Sequence, residues 1–352
     1  MKRFLSHLAS ALTVTAALAG TPLAAMAQST APMAAPMAAP AASDEGITVY
    51  NAQHASLTQA WADGFTRDTG IKVTLRKGGD MELGNQIVQE GAASPADVFI
   101  TENSPAMALV DNAGLFAPLD PAILDLVPDG LRPANGHWLG VAARSTVFVY
   151  NTAKLTKDQL PKSLLDLADP RWKGRWAAAP AGADFQAIIG ALLQLKGEAA
   201  TAAWLKAMKE NAKPYRGNGV AMKAVNAGEI EGAVVYHYYY FGDQANTGEN
   251  SRNVALHYFR NGDPGAFVSV SGAGVLASSK HKAQAQAFVK WVAGPGGQTI
   301  LKDGNAYEYA VAKGAASNPK LEPLDALQAP KVAAEKLNNK AVTDLMTAAG
   351  LL

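Results

Sequence analysis

Ile47-Thr48-Val49-Tyr50-Asn51-Ala52-Gln53-His54 begins apolar and β-branched and ends polar. It reads as a strand running into a loop. Downstream, Leu57, Trp61 and Phe65 recur at helical spacing, and Ser56 with Gln59 has the pattern of a capping box. Ile71-Lys72-Val73-Thr74-Leu75 alternates apolar and polar residues, as a half-buried strand does. Asp80 to Glu90 predicts a helix with Leu83 and Ile87 turned inward. Ala96 to Thr101 is a third strand, with Glu102 just past its end. Strand, helix, strand, helix, strand predicts a parallel sheet with helices on both faces. Ligands of such sheets sit outside the carboxyl ends of the strands. His54 follows the first strand and Glu102 the third, so topology sends both to one crevice.

Upstream lie Lys2 and Arg3, an apolar stretch from Leu8 to Leu18, and Ala25-Met26-Ala27. These have the form of a secretory signal peptide over residues 1–27. Its apolar stretch falls short of the ~20 residues needed to span a bilayer. Residues 28–45 repeat Ala-Pro-Met-Ala and predict a disordered linker. The expected product is an exported periplasmic protein with no membrane span. The chain has no cysteine, which excludes a cysteine-borne lipid anchor, disulfides and thiolate metal sites. The roughly 300 residues after the leader suffice for two domains of ordinary size. A net charge of +1 argues against nucleic acid as partner.

Trp138 to Tyr150 is largely apolar and carries Arg144. It predicts a strand pair crossing into a second domain. Gly182-Ala183-Asp184 lead into a helix from Phe185 to Leu195, and Ala199 to Glu210 is another. Pro214 to Asn218 reads as a loop and Val220 to Asn226 as a helix. Phe267 to Val275 is the return crossover. Ala283 to Ala293 is a helix closed by Gly294-Pro295-Gly296-Gly297. The tail has helical patterns at Leu324 to Leu327 and Val342 to Leu345. Chain order thus predicts one lobe of 46–145 plus 269–320 and another of 146–268 plus 321–352, hinged about a cleft.

Four of the ten tyrosines fall within Tyr236-His237-Tyr238-Tyr239-Tyr240. The run follows Gly232-Ala233-Val234-Val235, a short buried strand. Neighbours inside a strand point to opposite faces and do not converge. In a turn after the strand, two adjacent phenols can point into one cleft. Two readings stand at this point. The run is an aromatic cluster in a core or interface, where Tyr commonly sits with its hydroxyl bonded. Alternatively, it supplies a pair of phenolate ligands to a hard, highly charged cation.

The residues gathered above resemble the periplasmic ferric-ion-binding proteins, functional counterparts of transferrin. The likeness runs from Ile47 to the C-terminus and is carried by Val49 to His54, Ser94 to Phe99, Gly228 to Glu231 with Tyr238-Tyr239, and Arg260 to Gly265. It implies an α/β periplasmic-binding-protein fold of type II with a hinged interdomain cleft. It further implies a monomeric solute-binding subunit of an ATP-driven importer, which captures Fe(3+) and delivers it to an inner-membrane permease. Carried over by position, the metal ligands are His54, Glu102, Tyr238 and Tyr239. The chemistry agrees: a bound cation favours the deprotonated phenol. Two phenolates and a carboxylate then neutralise three positive charges.

The sequence departs from the resemblance at the anion seat, where relatives place a phosphate-like ion on a Ser-Gly-Ala turn. Here Gly182-Ala183-Asp184 stands there, and the asparagine before the tyrosines is replaced by Tyr236. Asn218 keeps the other asparagine, Arg144 matches the cleft arginine, and Tyr240 replaces an aromatic. A helix N-terminus attracts anions, but Asp184 adds a negative charge beside it. Phosphate is therefore not the expected partner anion. Asp184 caps its helix, ligates the metal, or leaves room for carbonate held by Arg144. His237 is expected to support the site from behind or to be exposed. Two other functions compete: the same fold binding an organic anion, polyamine or sugar phosphate, and a metal-dependent enzyme. No Gly-x-Ser-x-Gly elbow and no His-Glu-x-x-His helix occurs.

Overall fold

In the computed structural model, residues 46–352 are described. The signal peptide and linker expected over 1–45 lie outside them. The chain opens β1 (Ile47–Asn51), α1 (Ala55–Thr69), β2 (Val73–Lys77), α2 (Asp80–Glu90), β3 (Val98–Ile100), α3 (Pro105–Asn112) and α4 (Pro121–Leu124). Strand β1 pairs in parallel with β2 and with β3. The expected strand–helix alternation is therefore present, with strand ends displaced by about two residues, as such boundaries commonly are.

Helix α1 departs from its expected start. His54 occupies the N-cap position without a side-chain cap, and Ser56 lies inside the helix. Gln59 donates to Asp63 instead of reaching back (2.9 Å). The loop is tied from the other side: Asn51 donates to the Gln53 carbonyl and to Thr58 Oγ1, at 2.9 and 2.7 Å. That fastening makes a capping box unnecessary.

The long strand β4 (Trp138–Asn151) is a single buried element of 14 residues, not the expected strand pair. It is followed by β5 (Trp176–Ala178), α5 (Ala183–Lys196), α6 (Glu198–Asn211), β6 (Ala212–Pro214), α7 (Asn218–Asn226), β7 (Gly232–Tyr236), α8 (Tyr238–Asn246), β8 (Val254–His257) and β9 (Val268–Val275). The chain ends with α9 (Lys282–Ala293), α10 (Pro295–Asp303) and α11 (Asn339–Ala348). Gly294 to Gly297 does stop α9, but Pro295 then opens α10 at once. Proline lacks an N–H that a first-turn residue would leave unbonded anyway. Likewise, α7 begins at Asn218 rather than Val220.

The strands form one mixed sheet in the order β2-β1-β3-β9-β4-β7-β5-β6, with β8 on β4. Both β4 and β9 run through its middle. Over Trp138–Ser145, β4 pairs antiparallel with β9; over Thr146–Tyr150, it pairs with β7. One half of the sheet thus carries β1 and β3, and the other carries β5, β6 and β7, mutually parallel where they pair. Each half has its own aromatic packing. Trp61 is fully buried and donates its indole N–H to the Gly297 carbonyl, and Phe65 lies edge-on to Phe288. In the other half Trp176, Trp204 and Phe185 pack together. Burying side chains of this size is the main force holding each half together, about 3–5 kcal/mol per fully buried Phe or Trp when truncated to alanine.

Candidate metal centre

Every candidate ligand emerges from the carboxyl end of a strand or from the helix start that follows it. His54 lies beyond β1 and Glu102 beyond β3. Asp184 is the second residue of α5 after β5, Asn218 opens α7 after β6, and Tyr238 opens α8 after β7. Strand polarity therefore gathers side chains from both halves of the sheet at one point.

The tyrosine run leaves β7 straight into a helix, not a turn: the His237 carbonyl accepts the Tyr240 N–H at 3.1 Å. Tyr238 and Tyr239 stack with ring centroids 4.4 Å apart. Both hydroxyls reach Asp184 Oδ2, at 3.1 and 3.3 Å. The Tyr238 hydroxyl also lies 2.9 Å from Glu102 Oε1. That same oxygen is 3.2 Å from His54 Nε2, and the His54 ring sits edge-on to Tyr238 at 4.8 Å. Two phenols, two carboxylates and one imidazole nitrogen thus face a common centre. Among the described residues no set of three or more His, Cys, Asp or Glu side chains is arranged as a metal site. A metal held here would need the phenol oxygens as well.

Asp184 does not cap its helix. Gly182 holds the N-cap position, Ala183 the first turn, and the Asp184 carboxylate turns away to collect side-chain donors. Asn103 Nδ2 reaches Oδ1 at 3.1 Å and Asn218 Nδ2 reaches Oδ2 at 2.8 Å. The Tyr236 hydroxyl is 3.3 Å from Asn103 Oδ1 and from the Asp184 carbonyl, behind the cluster rather than in it. Tyr240 is not part of the site: its ring lies edge-on to Phe241 and packs on the apolar group around Met222 and Val235. A step of one residue along the helix turns the side chain by about 100° from that of Tyr239, enough to send it elsewhere.

Arg144 is completely buried, and its Nη2 pairs with Glu308 Oε2 at 2.5 Å. Its Nε and Nη1 have no hydrogen-bond partner among the described residues. His237 is not exposed: its ring lies edge-on to Tyr238, with centroids 6.2 Å apart. It is fully buried, stacks on Tyr309 at 4.8 Å and accepts the Ser145 N–H at Nδ1. Burial lowers its pKa to about 4, so the ring is neutral.

Charge is finely set. Burial works to raise Glu102, but the contacts to His54 and Arg144 outweigh it and hold the carboxyl at about 2. Burial would lower His54, but the Glu102 and Glu308 carboxylates on either side raise it to about 10. Asp184 is raised to about 6, by burial and then by the Glu102 charge. Burial and Asp184 raise both Tyr238 and Tyr239 well above the usual phenol range. Without a cation, then, the phenols keep their protons and His54 bridges two carboxylates as an imidazolium.

Three participants escaped the sequence reading. Glu308 is fully buried behind His54, with Oε1 3.0 Å from Nδ1. Its only sequence signal is an acid standing alone in the apolar run Ala306 to Val311. Asn103 links the Asp80 and Asp184 carboxylates. Asp80 accepts the backbone N–H of Glu102 and of Asn103, at 2.8 and 2.9 Å, and so shapes the loop that presents Glu102. Burial and the nearby Glu102 charge raise Asp80 to about 7 against those bonds. As the first residue of α2, Asp80 has the sequence signature of any acid at a helix start, which does not distinguish this role.

Residues 93–334 match the family model described as bacterial extracellular solute-binding protein. The chain is 69% identical over 310 residues to an Fe(3+)-binding periplasmic protein of Serratia marcescens, covering 88% of this chain and 92% of that protein. It is 42% identical to the major ferric iron-binding protein of Neisseria meningitidis serogroup B, covering 87% of this chain and 93% of the relative. Among solved structures, iron-bound HitA from Pseudomonas aeruginosa superposes with a TM-score of 0.82 at 41% identity, over 87% of this chain and all of that one. The fold is accordingly the two-domain α/β fold of the periplasmic binding proteins.

Proposed function

Because this chain belongs to the bacterial extracellular solute-binding proteins, and among them to the periplasmic ferric-ion-binding proteins, we propose that it captures ferric iron in the periplasm and delivers it to an ATP-driven permease of the inner membrane. The observation that carries this reading is the convergence of the Tyr238 and Tyr239 hydroxyls on Asp184, with Glu102 and His54 completing the ring. Hard oxygen donors with one imidazole suit ferric iron. The lobes are taken as 46–145 plus 269–320 and 146–268 plus 321–352, and closing them about β4 and β9 would bring the ligands around the ion. The carrier acts as a monomer and catalyses no reaction. No helix among the described residues is long and apolar enough to cross a membrane.

Asp184 takes the seat that a partner anion would occupy, as a fifth protein ligand beside His54, Glu102, Tyr238 and Tyr239. Its carboxylate already draws both phenols and two asparagine amides. A phosphate or carbonate placed there would add negative charge to a buried carboxylate. The same repulsion disfavours a sugar phosphate or organic anion as the cargo.

Two results are expected on titrating the metal-free protein with ferric citrate. A visible phenolate-to-iron charge-transfer colour appears, and millimolar phosphate or bicarbonate changes the affinity by less than about tenfold, a difference of about 1.4 kcal/mol. Tightening by phosphate of a hundredfold or more would refute the role given to Asp184. A colourless, unshifted protein would refute the iron site itself.

A further inference from the structure

Behind His54 lies a buried ionic chain. Glu308 Oε1 lies 3.0 Å from His54 Nδ1, an ion-pair distance, and has no other hydrogen-bond donor among the described residues. Its other oxygen takes Arg144 Nη2 at 2.5 Å and Gln53 Nε2 at 3.1 Å. Glu308 and Arg144 are fully buried and Gln53 nearly so. Gln53 in turn accepts the His54 backbone N–H at 2.6 Å, so His54 is gripped at both its main chain and its ring. The segment bearing Glu308 is unusual as well. Tyr307 has a φ of 52°, in the left-handed region that bulky residues rarely adopt. Tyr309 exchanges backbone hydrogen bonds with Ala143, which fixes Glu308 next to Arg144. Backbone strain of this kind persists where the surroundings enforce it, often at functional sites.

We propose that Glu308 is a positioning residue for iron capture: it keeps the ring proton of His54 on Nδ1, so that Nε2 presents its lone pair to the metal. This rests on the iron site proposed above. A neutral imidazole carries one proton, and the partner of one nitrogen decides which nitrogen is left to ligate. Carboxylates behind metal-bound histidines act in this way. Arg144 makes the requirement stringent. It is a donor only, so whatever stands at 308 must offer it an acceptor. A carboxylate offers one oxygen to Arg144 and one to His54. An amide has a single oxygen. In Glu308→Gln, Arg144 takes that oxygen and the NH2 group faces His54 Nδ1. The ring proton is then driven to Nε2, the atom that should bind iron.

The test compares ferric affinity, by competition with citrate, in the native protein, Glu308→Gln, His54→Ala and the double variant. Glu308→Gln is expected to weaken binding about 10- to 100-fold, His54→Ala by a similar factor, and the pair together by no more than His54→Ala alone. A merely structural Glu308 would instead lose affinity additively. Replacing Arg144 as well, in Arg144→Met with Glu308→Gln, removes the charged donor to the amide oxygen; Gln53 Nε2 keeps Ser271 Oγ as its acceptor, so the oxygen can accept from Nδ1 and affinity should return to within a few-fold of native. It also removes the unpaired charge should Glu308→Gln alone fail to fold, and His54→Ala in that background should cost what it costs in the native protein. Native-like binding by Glu308→Gln, additive losses, or no recovery on replacing Arg144 would each overturn the proposal. If His54→Ala leaves the native affinity unchanged, the iron site as drawn is wrong, and this inference goes with it.

Discussion

Tyr239→Phe should lower ferric affinity by about a thousandfold or more, against about 10- to 100-fold for His54→Ala. Metal sites of four ligands are worth about 10–16 kcal/mol, so one ligand carries roughly 3–4 kcal/mol, or two to three powers of ten. The two residues differ in charge. A phenolate donates an oxygen and cancels one positive charge in a site that burial keeps poor in water; imidazole donates a neutral nitrogen. Removing the Tyr239 hydroxyl also takes one donor from Asp184 Oδ2, which keeps Asn218 and Tyr238. The fold should tolerate the change, since the ring remains to stack on Tyr238. The measurement is citrate competition, with the charge-transfer band followed in parallel: the band should weaken and shift because one phenolate is left. Equal losses in Tyr239→Phe and His54→Ala would mean that charge neutralisation does not dominate, and the assignment of Tyr239 as a ligand would fall.

The first half of the fold was readable because local pattern and topology agree there. Alternation in Ile71 to Leu75 and the stripe of Leu57, Trp61 and Phe65 each report one buried face. Parallel pairing then follows from chain order alone. Strand β4 was harder. All of its residues are buried, so no alternation marks its face and nothing local distinguishes one long strand from two. Which strands it joins is set by contacts far apart in sequence, beyond what a window of residues can carry. The start of α10 was missed for a different reason: Gly-Pro-Gly-Gly ends helices, yet the proline within it is equally suited to begin one.

At the site, legibility followed chain topology. His54, Glu102, Tyr238 and Tyr239 stand at the ends of recognisable strands, and the structure brings their polar atoms together. Tyr236 and Tyr240 share the same run but diverge from it. Tyr236 is the last residue of β7 and points behind the cluster; Tyr240 lies on the far side of α8. The residues that orient the ligands left little trace. Glu308 comes from an irregular segment more than 250 positions from its partner His54 in a contact that no local rule anticipates. Asn103 and Asp80 work through loop geometry, which composition does not encode.

Iron capture should release about three protons at neutral pH, so that affinity rises steeply, by about a thousandfold per pH unit near pH 7. The sign follows from the state of each ligand before the metal arrives. Tyr238 and Tyr239 are shifted above the usual phenol range by burial and by Asp184, so each holds its proton and must lose it. His54, raised to about 10 by its two carboxylates against the effect of burial, carries two ring protons and must shed the one on Nε2. Glu102, held at about 2, is already ionised and contributes none. Asp184, raised to about 6, is mostly ionised at pH 7 but protonated below its pKa, so the count should climb towards about four as pH falls under 6. Protons compete with iron for every one of these atoms, and acidification therefore weakens binding throughout this range. A lightly buffered titration measures the release directly, with iron supplied from a chelate whose own proton uptake is determined separately. Tyr239→Phe should release about one proton fewer than the native protein at the same pH. Release of one proton or less by the native protein would mean that the phenols stay protonated in the complex, and a site built on two phenolates could not survive that result.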